Sequence, residues 1–338
     1  MSTTDTIKKA QAALSRGDLS GARSLLGAAI DQNPADFEGR YTMAVLHRTT
    51  GEHSLAKKVL AELLSEKPDF GRGFQELGYC ELALRRDSDA QLAFEKAVEL
   101  DASLLDSWRF LSALYQRQKD PRAEHAGRQI AFLNELPPEL RTVISYLAAN
   151  RLADAERLCR FFMKQNQTHI EGMRLMAEVA TRTGVFDDAE FLLETVVELE
   201  PEHMDADIQL VHVLLRRQRF HKAYQRASSL YRSHGETVQQ VLALYASACF
   251  GIGKNEEAIR VYRKMIEQAP RDPALRVSLA HVHNASGDTE SAVKLFHEAY
   301  HLQPEFGDAY WSLANTKSYR FSEPEVMTMS QGVENRAT

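Results

Sequence analysis

His297-Glu298-Ala299-Tyr300-His301 reads H-E-x-x-H, the spacing that sets two imidazoles one helical turn apart with a carboxylate between them, as zinc-assisted hydrolysis requires. Phe296 and Ala299 occupy packing positions in the same stretch, which assigns His297 and His301 to its outer, solvated side. Gly and His would have to continue the motif where Pro304 and later residues stand, so no metal is expected. Gly251-Ile252-Gly253-Lys254 resembles part of a phosphate loop, but Asn255 stands where Ser or Thr is needed and no strand precedes it. Asp187-Asp188 and Glu256-Glu257 fall near helix starts, where acids favour the positive end of the helix, and a helical turn offers no enclosed cleft for acid/base work. Cys80, Cys159 and Cys249 are widely separated and form no C-x-x-C pair, which predicts buried small hydrophobes in a reducing compartment. Arg216-Arg217-Gln218-Arg219, with His221 and Lys222 nearby, predicts a basic patch on a solvated turn, with an acidic partner as the alternative. No catalytic residue and no cofactor emerges.

The whole chain agrees with that. Its 338 residues carry 41 Lys+Arg against 47 Asp+Glu, a net charge of −6, so there is no basic excess to track nucleic-acid phosphates. Hydrophobic residues at 44% are too many for a disordered chain. The N-terminus lacks the apolar run of a secretory signal, and no stretch approaches the ~18 apolar residues of a spanning helix. A cytoplasmic, soluble protein without membrane or nucleic-acid partners is expected.

Ala, Leu, Glu, Gln and Arg recur at three- and four-residue spacing almost throughout, which reads as all-α. Self-similarity then fixes the organisation. Alanines that follow a turn fall at Ala22, Ala56 and Ala90, 34 residues apart, and again at Ala155, Ala189, Ala223, Ala258 and Ala292, 34 or 35 apart. Between the two series the phase loses three residues. Pro34 and Pro68, and Pro270 and Pro304, repeat the same 34-residue interval and separate one unit from the next. Within a unit Phe74, Leu77 and Gly78 share one helix and Ala90, Phe94 and Ala97 a second, each with one apolar stripe, and small Gly78 and Ala90 admit close approach. A single hairpin cannot cover its own apolar face; stacking the next one does, and about nine fit the chain.

These residues resemble the tetratricopeptide repeat family. Trp108, Leu111 and Tyr115 supply the first half of its 34-residue pattern, and Gly253, Ala258, Tyr262 and Pro270 the second. The resemblance implies a right-handed superhelical solenoid of about nine helical hairpins and a C-terminal capping helix. Residues 1–136 and 169–306 would hold regular units, and residues 137–168 an irregular or shortened one. Glu124 at a small-residue position and Pro137-Pro138 mark the departure from regularity. Residues 307–338 would form the capping helix and tail. Gly307 to Ser322 and Glu323-Pro324-Glu325-Val326, with Leu136-Pro137-Pro138-Glu139-Leu140, look like the repeat region and linker of bacterial tetratricopeptide-sulfotransferase proteins. Their donor-gripping Pro-Arg-Ser-Gly-Thr-Thr type loop is absent before Thr338, so the resemblance implies that architecture's scaffold, without its catalysis.

In tetratricopeptide arrays the first helix of each unit lines a concave surface that binds a protein or peptide segment. Projecting the period gives Tyr41, Gln75, Tyr79, Arg109, Arg174, His212, His281, Asn284, Trp311 and Asn315 as candidate contacts. Aromatic, Arg and amide side chains combine planar contact area with directional hydrogen bonds. Tyr41, Val45, Gln75 and Tyr79 stand where some relatives carry the Lys and Asn that clamp a terminal carboxylate, so a chaperone C-terminal tail is not the expected ligand. A sulfotransferase domain or chain is the alternative partner. Ser322-Glu323-Pro324-Glu325 reads as a capping box.

Overall fold

The computed structural model describes residues 3–235, 238–316, 319–327 and 329. The described residues form helices in a strict alternation. First and second helices are α1 (Thr3–Ser15) and α2 (Leu19–Gln32), α3 (Phe37–Thr49) and α4 (His53–Glu66), α5 (Gly71–Ala83) and α6 (Asp87–Leu100), and α7 (Leu105–Gln118) and α8 (Arg122–Glu135). The short α9 (Pro138–Ala148) and α10 (Leu152–Gln165) follow, then α11 (Ile170–Thr183) and α12 (Phe186–Leu199), and α13 (Met204–Arg216) and α14 (Phe220–His234). The array continues with α15 (Gln239–Gly251) and α16 (Asn255–Gln268), α17 (Pro273–Ala285) and α18 (Thr289–Leu302), and α19 (Gly307–Asn315). The chain forms two compact units, residues 1–175 and 176–338.

One local device makes every hairpin. The turn between first and second helix always contains a left-handed residue: Gly17, Gly51, Arg85, Lys119, Asn150, Gly184, Gln218, Gly253 and Gly287. In each case the next residue's N–H returns to a carbonyl five residues earlier, as Asp18 to Ala13 at 3.0 Å, Glu52 to His47 at 2.8 Å and Lys254 to Cys249 at 2.9 Å. This closure satisfies carbonyls that the helix end leaves bare and aims the second helix back along the first. The interval between these residues is 34, except for 31 from Lys119 to Asn150 and 35 from Gln218 to Gly253, which locates the lost phase at α9. Gly253 therefore serves a turn and no phosphate loop.

The alanines of the repeat do what their size predicts. Ala22, Ala56, Ala90, Ala155, Ala189, Ala223, Ala258 and Ala292 are all 0% exposed. In α8 the expectation for the small position is corrected: Glu124 is exposed, and Ala126, two residues further on, takes the buried seat at 0%, in a helix that itself starts late, at Arg122 after Pro121. Across the contact, a Cβ on Gly78 would lie 2.6–2.8 Å from three ring atoms of Phe94. That ring cannot retreat: it stacks on Phe110 at 5.2 Å and meets Tyr79 edge-on at 5.5 Å.

First helices also touch one another, α1 with α3, α3 with α5, α13 with α15 and α17 with α19, so in each unit they form a shared wall. The residue after the buried alanine ties one hairpin to the next. Arg23 pairs with Glu52 at 3.0 Å, Lys57 with Glu81 at 2.6 Å, and Gln118 donates to Gln91 at 2.9 Å. In the second unit Lys254 donates to the Tyr224 hydroxyl at 2.6 Å.

Two outcomes test this packing. Gly78→Leu should overpack the α5–α6 contact and cost about 1–3 kcal/mol, seen as a lowered urea midpoint. Lys119→Gly and Gln218→Gly, by relieving left-handed strain, should each raise stability by about 1 kcal/mol in the same titration.

Candidate functional site

In the first unit the wall is largely committed to itself. Tyr41 is half-buried, edge-on to Phe70 at 4.9 Å, and burial pushes its phenol well above the ordinary range. Gln75 donates to the Ser107 hydroxyl at 2.9 Å. Tyr79, half-buried between Phe94 and Phe110, has its phenol pushed up to about 12, chiefly by burial, and the Arg48 guanidinium lies 5.0 Å from its ring centre. Arg48 also donates to buried Glu76 at 2.5 Å; burial outweighs that cation and raises the Glu76 carboxyl. Arg109 is exposed, bonded to Asp106 at 3.0 Å and to Asn134 at 3.5 Å. The Arg48–Glu76 couple had no sequence signal, because neither position is apolar or part of a motif.

The α9 helix adds a contact that the period does not foretell. Its Ser145 donates to buried Asp101 at 2.9 Å and accepts from Arg72 at 3.2 Å, seventy-odd residues away. α9 therefore lies across the start of α5 and the end of α6, bounding a cleft of about 340 Å³ with Lys67, Arg72, Asp101 and Arg151 on its surface. Pro137 predicted the break, but not where the helix would go.

Arg174 is a correction. The projected period makes it a wall contact, but it is 9% exposed and its Nε donates to Glu171 at 2.9 Å, one turn back on α11. Spacing alone cannot register how far the aliphatic stem of an arginine is buried.

In the second unit the wall is more open. His212 on α13, Trp311 and Asn315 on α19, and Asn284 on α17 are exposed, Trp311 at 69%. Asn284 accepts from Thr289 at 3.5 Å. His281 is half-buried against Phe296, with Nε2 3.3 Å from the Ser312 hydroxyl, and burial lowers its imidazole despite the opposing charge of Asp308. His212, Ser247, His281 and Asn315 occupy equivalent places on α13, α15, α17 and α19, 34 or 35 residues apart.

The motifs with chemical promise resolve into structure. His301 is exposed, but His297 is half-buried rather than solvated: its Nδ1 lies 3.0 Å from the Tyr300 hydroxyl and its ring packs edge-on against Tyr319 at 5.2 Å. Among the described residues no three His, Cys, Asp or Glu side chains converge as metal ligands. Burial pushes the thiols of Cys80, Cys159 and Cys249 up to about 11, so they stay protonated and unreactive near neutrality. The basic run is corrected as well. Arg217 and Arg219 donate to Glu190 at 2.5 and 2.9 Å, Lys222 reaches it at 3.5 Å, and Arg216 lies over Phe186. Glu190 is 3% exposed, so the acidic partner of this run is internal.

A succession of helix–turn–helix units, each sheltered by its neighbours and joined by a left-handed turn, defines an α-solenoid. The chain belongs to the tetratricopeptide repeat family, whose sequence profile matches residues 28–304. Proteins of this family are protein-interaction scaffolds and are typically non-catalytic. The cellulose synthase 1 operon protein C of Komagataeibacter xylinus is 22% identical over 242 residues, 67% of this chain but 18% of that protein's length. Among solved structures, MamA 41-end from Desulfovibrio magneticus RS-1 is 16% identical, with a TM-score of 0.45 over 50% of this chain and 98% of its own. MamA AMB-1 is 18% identical, with a TM-score of 0.43 over 49% and 96%. The Naa15/Naa10 assembly bound to HypK-THB contains a chain 13% identical, with a TM-score of 0.36 over 97% of this chain and 68% of its own. Among the described residues no helix is long and apolar enough to cross a membrane.

Replacing the two kinds of wall residue separates them. Arg174→Ala should cost about 1–3 kcal/mol by stripping a partly buried ion pair, while Trp311→Ala should change thermal stability by no more than about 0.5 kcal/mol.

Proposed function

We propose that the protein is a non-catalytic scaffold that docks a polypeptide segment along the first helices α13, α15, α17 and α19. The supporting observation is that exposed side chains suited to recognition, His212, Trp311 and Asn315, recur on this wall, whereas Tyr41, Gln75, Tyr79 and Arg174 of the other candidates are engaged in internal contacts. An exposed tryptophan offers a large, stiff apolar anchor, and imidazole and amide groups on helices about 8–10 Å apart can bond peptide groups roughly three residues apart on an extended chain. His281 and Asn284 are secondary contacts in this reading.

A second reading has the wall present an acceptor protein to a sulfotransferase domain or chain; what favours it is the likeness of residues 307–326 to that linker. Donor-dependent sulfate transfer to a captured protein, in the presence of such a domain, separates it from simple scaffolding.

The test is site-specific photo-crosslinking. A benzophenone side chain at His212 or Asn315 should capture polypeptide partners, whereas one at Phe191, exposed on second helix α12, should not. Trp311→Ala should weaken binding of an identified partner about tenfold or more, as loss of an interface anchor does. Equal capture at all three positions would defeat the docking reading.

A further inference from the structure

Helix α19 is a first helix, followed among the described residues by a short stretch, 319–327, that turns helical at Glu323. Its Ala309, Tyr310 and Leu313 are buried, in one cluster with Phe296 and Tyr300 of α18, and Tyr319 and Phe321 pack against that cluster. A single carboxylate pins this covering segment. Glu325 accepts from the Tyr300 hydroxyl at 2.9 Å, from the Tyr319 hydroxyl, and from both the amide and the hydroxyl of Ser322 at 2.7 Å. His297 Nε2 stands 3.9 Å from the same carboxylate. With the Tyr300 proton given to Glu325, His297 Nδ1 must donate to the Tyr300 oxygen, so the first histidine of H-E-x-x-H supports the pin.

We propose that residues 319–327, helical from Glu323, are a latch in the second-helix seat behind α19, with Glu325 as its bolt, and that closure of the latch holds Trp311 and Asn315 in place on the wall. The inference rests on the docking reading for its consequence and on the α18–α19 contacts for its mechanism. Ser322 amide and hydroxyl form the capping box with Glu325, and the two tyrosines carry the bond from there to α18 and to the linker. Burial opposes the charge of Glu325, but the hydroxyls of Tyr319, Ser322 and Tyr300 and the Ser322 amide outweigh it and hold the carboxyl at about 2, below its ordinary 4.5. A carboxyl lowered in the folded state stabilises above its ordinary value, and this contribution fades as pH falls from 4.5 towards 2. Glu325 therefore stays ionised and able to accept these bonds throughout the neutral range.

Hydrogen–deuterium exchange on the full chain reads it directly. Glu325→Ala should speed exchange of the amides in 307–316 by about tenfold or more while α1–α10 stay unchanged. Ser322→Asp sets a second carboxylate against Glu325 and should do the same, which keeps the test alive if Glu325→Ala folds poorly; Ser322→Ala, which spares the backbone donor, should do less. Exchange of 307–316 within about twofold of wild type in both Glu325→Ala and Ser322→Asp overturns the latch. In the opened variants photo-crosslinking at Asn315 should fall while that at His212 persists; equal persistence at both overturns the coupling to the wall. Absence of cross-links at both positions in the wild type defeats the docking reading and leaves exchange to decide the latch.

Discussion

Everything in this molecule hangs on how closely two helices can approach within a hairpin. Eight fully buried alanines fill the seat beside the turn with a methyl group, and at Gly78 on the facing helix the ring of Phe94 leaves no room even for that. Close approach lets the apolar stripe of each pair mesh, and the stripe's remaining side is covered by the next pair. Because each hairpin answers only to its neighbours, small errors of phase are absorbed locally. α8 shifts its alanine to Ala126, and the hairpin of α9 gives up three residues without disturbing the turn geometry on either side.

Between hairpins the binding is partly polar, at the residue beside that alanine. Exposed pairs such as Arg23 with Glu52 contribute little energy, since water competes for both charges. Glu190 is different: a carboxylate this deeply buried would be very costly alone, and three cations from the following hairpin make it tolerable. Such a contact specifies which surface stacks on which, beyond what apolar burial can discriminate. It also consumes the charge that a reader of the sequence would offer to a partner.

The same competition divides the wall. In α3, α5 and α7 the side chains at recognition positions are drawn into aromatic and ion-pair contacts, with α9 lying across the start of α5. In α13 to α19 the intervening residues are smaller or neutral, Ser247 and Ala243 among them, and His212, Trp311 and Asn315 are left standing. Trp311 is presented by a helix whose own back is covered by a short segment held through Glu325. The proposed docking surface and the buried α18–α19 cluster thus meet in one nine-residue helix.

The all-α class, the 34-residue period, the buried alanines and the turn positions are legible in the residues themselves, because a repeat states the same packing rule many times and each statement involves neighbours close in sequence. The surroundings of the candidate contacts were less legible. Spacing gives the face of a helix on which a residue sits, but whether Arg174 lies exposed or sinks onto Glu171, and whether the run at Arg217 faces solvent or Glu190, depends on groups up to thirty residues away. The course of α9 and the reach of Glu325 to Tyr300 were decided by tertiary structure alone. Proline and a capping box announce where a helix starts or stops, whereas the partner that an uncovered carboxylate or hydroxyl finds is settled only when distant surfaces compete to bury it.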